Sequence, residues 1–88
     1  MSSVITVSQL NRYLASKLRS DLKLKGIAVK GEISNFNIHY KSGHAYFTVK
    51  DSSSALKAVM FSSSVSRLKF MPEDGMSVLV MGNIEVYE

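Results

Sequence analysis

Three stretches of this chain alternate apolar and polar side chains with a period of two, and that pattern commits them to a half-buried β-sheet. Over residues 27–34, Ile27, Val29, Gly31 and Ile33 stand against Ala28, Lys30, Glu32 and Ser34. Over residues 45–50, Ala45, Phe47 and Val49 stand against Tyr46, Thr48 and Lys50. Over residues 76–87, Val78, Val80, Gly82, Ile84 and Val86 share a face. Successive side chains on a strand point to opposite sides, so each run has one face for a core and one left over. Asp51-Ser52-Ser53-Ser54 is turn chemistry, and residues 55–61 beyond it complete a hairpin with the second strand. The interior glycines Gly31 and Gly82 predict bulges or sharp coiling.

Outside these runs the period changes. Leu10, Tyr13, Leu14 and Leu18 form one apolar stripe on a helix of about three turns. Ser8 is the expected cap, Lys17 and Arg19 suit the C-terminal end, and the helix should stop near residues 20–22. Lys23, Lys25 and Gly26 make a basic connector. Residues 35–43 read as a polar loop, and Val65 and Leu68 allow a short helix within residues 62–70. Pro72-Glu73-Asp74-Gly75 is a strong turn signal before the last strand. A helix, three meandering strands, a short helix and one long strand is the order of a mainly β, OB-type Greek-key barrel. Such a barrel has five strands, and this sequence supplies four, so residues 1–88 read as one such domain that stops before its fifth strand. An open α+β sheet is the alternative. A barrel lacking its closing strand leaves edges that recruit other strands, which predicts an edge-paired or swapped homodimer. The opposing expectation is a monomer whose residues 3–6 fold back over the gap.

Composition enters as a set of exclusions. At 88 residues there is no room for a second core, and 45% hydrophobic with 20% charged residues is a globular balance. No apolar run is long enough for a membrane span, and Met1-Ser2-Ser3-Val4-Ile5-Thr6 lacks the basic start and apolar stretch of a signal peptide. The absence of cysteine removes a disulfide framework and any cysteine nucleophile or zinc ligand, and fits a cytoplasmic protein. His39 and His44, the only histidines, have no carboxylate near enough to complete a metal site. The carboxylates are scattered, and no serine stands in a nucleophile-elbow setting. No glycine loop cradles a phosphate. These residues predict neither catalysis nor a cofactor within the segment.

The face left over by the strands points instead to nucleic acid. Lys30, Tyr46, Lys50, Lys57 and Phe61 fall on the outward side, together with Glu32, Ser34, Thr48 and Val59. The adjoining loop adds Asn35, Phe36, His39, Tyr40, Lys41 and His44. Lysines interleaved with rings suit a single strand, whose phosphates need cations and whose bases need flat apolar partners. A net charge of +4 agrees with an anionic partner.

Several blocks then stand in a telling order: Val7-Ser8-Gln9-Leu10-Asn11-Arg12-Tyr13, Gly31-Glu32-Ile33-Ser34-Asn35-Phe36, and Ser42-Gly43-His44-Ala45-Tyr46-Phe47-Thr48-Val49-Lys50-Asp51. Ala58-Val59-Met60-Phe61, Leu68-Lys69-Phe70 and Pro72-Glu73-Asp74-Gly75 follow. Together they resemble the N-terminal segment of the bacterial exodeoxyribonuclease VII large-subunit family, from about Val4 to the end of the chain. The resemblance implies an OB-fold domain that binds single-stranded DNA. It also implies a parent hydrolase that degrades single-stranded DNA from both ends, with its nuclease chemistry in a later domain and a small subunit as partner. No catalytic residue is carried over. Tyr46-Phe47-Thr48-Val49-Lys50-Asp51 also resembles a strand of OB domains that bind tRNA anticodons, in which the leading aromatic stacks on a base. Lys57 stands where those domains carry an amide on the next strand, which favours sequence-tolerant binding. Two other functions remain open: a protein-docking domain for subunit assembly, and an RNA-binding domain of the anticodon type.

Overall fold

A computed structural model describes residues 4–86, which divide into two compact units. One contains residues 4–28 with 81–86, and the other is Val29–Val80.

In the first unit, helix α1 spans Val7–Ser20. Its cap is Thr6, not Ser8. The Thr6 hydroxyl accepts from the Gln9 backbone N–H at 3.0 Å, and the Gln9 side-chain oxygen accepts from the Thr6 N–H at 2.9 Å. This reciprocal pair needs Glu or Gln three residues after the cap, and Asn11 does not meet that requirement for Ser8. Thr6 is thus committed to the helix, and residues 4–6 carry no strand pairing. Ser3 lies outside the described residues. The helix stops at Ser20, and the Asp21 carboxylate accepts from the Lys23 N–H at 3.0 Å to open a single 3-10 turn, Leu22–Leu24. Beyond it, the Gly26 N–H donates to the Asn83 side-chain oxygen at 2.8 Å, and the Ile84 N–H donates to the Leu24 carbonyl at 2.9 Å. These bonds explain why the last strand is shorter than its alternation predicts. It ends at Gly82, because the Asn83 side chain takes a bond that a backbone ladder would otherwise make. Tyr87, which the alternation also included, lies outside the described residues.

Strands β1 (Ile27–Ile38), β2 (Ala45–Lys50), β3 (Ala55–Met60) and β4 (Ser77–Gly82) form one sheet in the order β3-β2-β1-β4. A short helix α2, Ser62–Val65, stands between β3 and β4. Within Val29–Val80 the core is small: Ile33, Phe47 and Val49 are buried, with Val29, Phe36, Ala58, Met60, Val78 and Val80 packed on them. The β2–β3 hairpin closes through Asp51, whose carboxylate accepts from the Ser53 and Ser54 N–H groups at 2.8 and 2.9 Å. That is the Asx chemistry expected of the turn.

Two departures from the sequence pattern concern β1. It is four residues longer than the alternation over residues 27–34, running on to Ile38. Its bulge lies after Ser34, not at Gly31. Ser34 faces Thr48 and Asn37 faces Tyr46, so Asn35 and Phe36 together oppose one residue of β2. Asn35 takes φ 55°, a backbone state that Asn tolerates better than most residues. Gly31 serves a close approach instead. A Cβ there would lie 2.5 Å from Val49 Cγ1 and 2.9 Å from the Lys50 carbonyl oxygen.

Candidate nucleic-acid interface

The register fixes which side chains share the face opposite the core. On β2, Ala45, Phe47 and Val49 are buried, so Tyr46, Thr48 and Lys50 point the other way. Directly opposed residues share a face, and three cross-strand rows follow. They are Asn37–Tyr46–Val59, Ser34–Thr48–Lys57 and Glu32–Lys50–Ala55. Tyr46 is therefore the ring on the middle strand, with Lys57 one diagonal away on β3. Lys30, two residues before Glu32 on β1, belongs to the same face. Three lysines against one glutamate give this face a positive balance.

The β1–β2 loop comprises residues 39–44, shorter than the segment 35–43 expected from its polarity. The His39 N–H donates to the His44 carbonyl at 2.9 Å, and the Gly43 N–H donates to the His39 carbonyl at 2.7 Å. This tight turn presents Tyr40, 85% exposed, with its ring stacked on His39 at 6.0 Å between centroids. Lys41 beside it is exposed as well. A ring and a cation at a loop tip suit a flexible strand, as the sheet face does.

Of the ten residues expected at the site, Lys30, Tyr46, Lys50 and Lys57 share the sheet face, and Tyr40 and Lys41 occupy the loop tip. The structure does not bring the other four together in the same way. Phe36 turns inward, because the two-residue bulge reverses its side. It packs, half-buried, against the core, with its ring 5.7 Å from that of Phe47. Asn35 is the residue that accommodates the bulge. His44 accepts from the Ser62 N–H through Nδ1 at 2.9 Å, and its ring meets Phe61 edge-on at 5.2 Å. That pair joins the start of β2 to the start of α2, and Phe61 remains 55% exposed. Among the described residues no three His, Asp or Glu side chains gather as metal ligands would. The sequence reading missed Asn37, which it placed inside a loop. A readable signal existed: the apolar positions change parity, from Ile33 to Phe36 and Ile38.

A sheet in this strand order, with a helix between β3 and β4 and an aromatic ring beside lysines on the face opposite the core, is the architecture of an OB-type domain. The chain belongs to the OB-fold nucleic acid binding domain family, whose profile matches residues 5–88. It is 54% identical over 84 residues to the "Exodeoxyribonuclease 7 large subunit" of Clostridium botulinum, a match covering 96% of this chain and 21% of that protein. Proteins of the same name from Clostridium kluyveri and Ruminiclostridium cellulolyticum are 51% and 48% identical, over 96% and 100% of this chain. In those two proteins the match covers 21% and 22% of the length. The chain thus spans about a fifth of the length of the relatives it matches. Among the described residues no helix is long and apolar enough to cross a membrane.

Proposed function

We propose that this domain binds single-stranded DNA across the outer face of β1–β3, with Tyr46 as the stacking platform and Lys30, Lys50 and Lys57 meeting phosphates. The observation that carries this reading is the shared face of Tyr46 and Lys57, set by the pairing of Tyr46 with Val59 and Thr48 with Lys57. Stacking favours a single strand, whose bases are free to splay, over a duplex, whose bases already stack on each other. The relatives' name, an exodeoxyribonuclease large subunit, supports a wider proposal: that the domain holds DNA for nuclease chemistry elsewhere in a longer chain, with a small subunit as partner. Affinities for a fluorescent oligonucleotide and for its duplex test the core of the reading. A clear preference for the single strand is expected, and equal affinity leaves only general electrostatics. The same series with the matching RNA oligonucleotide separates DNA from anticodon-like RNA binding.

A second reading, protein docking during subunit assembly, draws on the exposed Val7, Leu10, Tyr13 and Leu14 of α1. Salt separates the two. DNA binding weakens steeply as salt rises, because phosphate contacts release counterions, whereas association through an apolar patch does not. Edge pairing into a homodimer is a separate proposal, and light scattering across a concentration series tests it.

A further inference from the structure

We propose that Asn37 reads the edge of the base that stacks on Tyr46; this rests on the single-strand reading above. Tyr46 has two direct cross-strand neighbours, Val59 on β3 and Asn37 on β1. Val59 extends the apolar floor and offers no hydrogen bond. Asn37 is exposed, and its amide carries two donors and an acceptor in one plane. Cβ atoms of directly opposed residues lie about 4.5–5.5 Å apart, so a base seated on the Tyr46 ring brings its edge within reach of that amide.

The amide occupies this position only because of the bulge. In an unbroken alternation residue 37 has the parity of Ile33 and points into the core. Two residues opposing one on β2 turn Phe36 inward and Asn37 outward. The bulge is held from the β4 side. The Asp74 carboxylate accepts from the Phe36 N–H at 2.9 Å, satisfying a donor that the extra residue removes from the ladder. The Gly75 N–H donates to the Ile33 carbonyl at 2.8 Å, and the Ile33 N–H donates to the Met76 carbonyl at 2.9 Å. The 72–75 turn therefore fixes the backbone that presents Asn37. The lysine at position 57 lacks an acceptor, so the acceptor for a base N–H on this platform comes from the opposite strand.

The test is fluorescence anisotropy of the 88-residue chain with two probes of equal length. One is an oligothymidylate. The other carries 2,4-difluorotoluene nucleosides, which keep the shape and stacking of thymine but have no strong hydrogen-bonding edge. The unmodified protein should bind the thymine probe more tightly. Asn37→Ala should weaken thymine binding by roughly 2- to 12-fold, the range of one ordinary net hydrogen bond, and leave the analogue unaffected. Asn37→Leu, which keeps the size without the amide, should behave the same way. Equal affinity of the unmodified protein for both probes overturns the proposal, as does an equal loss on both probes in either variant. If the unmodified protein prefers a single strand to a duplex but neither variant changes thymine binding, only the role of Asn37 falls. Failure to prefer a single strand removes the underlying reading, and the role of Asn37 with it.

Discussion

Gly31→Ala inserts a methyl group where β1 passes closest to β2. The new carbon would lie 2.5 Å from Val49 Cγ1, 2.9 Å from the Lys50 carbonyl oxygen and 3.4 Å from the Lys50 nitrogen. Comfortable carbon–carbon contact is about 3.5–4.0 Å, so the Val49 methyl must retreat by roughly 1 Å. It has nowhere to go, because Val49 is buried in one cluster with Ile33 and Phe47. The Lys50 contacts are harder still to relieve, since backbone in the sheet moves only if the pairing opens. Overpacking of this kind costs about 1–3 kcal/mol. Replacing glycine also removes unfolded-state freedom, which returns about 0.4–1 kcal/mol. The net expectation is a loss of about 1–2 kcal/mol, or a melting temperature lower by roughly 4–16 °C for a domain of this size. Thermal and urea denaturation followed by circular dichroism measure it directly. Gly82→Ala is the internal control: nothing among the described residues lies within 4 Å of its added carbon, so stability should hold or rise slightly. A Gly31→Ala protein as stable as the parent refutes the close-approach argument, and parallel losses in both variants point to a general intolerance of side chains in these strands.

Three further outcomes are expected. Tyr46→Ala should weaken single-strand binding by about 1–3 kcal/mol, roughly 5- to 150-fold, while Tyr46→Phe keeps most of the affinity; melting curves of both variants separate lost binding from lost folding. Lys50→Ala and Lys57→Ala should each flatten the dependence of log affinity on log salt by about 0.7, the value of one phosphate contact on a single strand, as read from titrations at several salt concentrations. Thr6→Ala should cost about 0.5–2 kcal/mol of helix stability and lower the helical far-ultraviolet signal, because the pair of bonds between Thr6 and Gln9 is lost.

Element order, hairpin and helix positions follow from period and turn chemistry, which act within a few residues and so are written locally. The β2 strand is the clearest case: Ala45, Phe47 and Val49 are buried as their alternation requires, and Tyr46, Thr48 and Lys50 face away. The helix cap, expected at Ser8 and found at Thr6, turns on chemistry of the same local kind. A capping box depends on the residue three positions on, and Gln9 selects Thr6 over Ser8. What the alternation of residues 76–87 leaves out is the cooperation between distant segments. The end of β4 is decided by Asn83 reaching Gly26, 57 residues away, and no window of a few residues contains that bond.

The bulge in β1 lies between these extremes, and the proposed binding face depends on it. Its local half was written in the chain, as the parity change from Ile33 to Phe36 with an Asn between them that accepts φ 55°. Its distant half is Asp74, 38 positions beyond Phe36, in a turn whose acidic residues look like ordinary solvated turn chemistry. Reading residues 35–43 as a loop made Phe36 a candidate ring and hid Asn37. With the extra residue counted, Phe36 becomes core, and the face beside Tyr46 gains an amide in exchange for a ring. One residue of register therefore changes the chemistry of the proposed site from stacking alone to stacking beside a hydrogen-bonding group. The carboxylate of Asp74 helps to hold that register, so its influence on the face acts through backbone position and not through contact with a ligand.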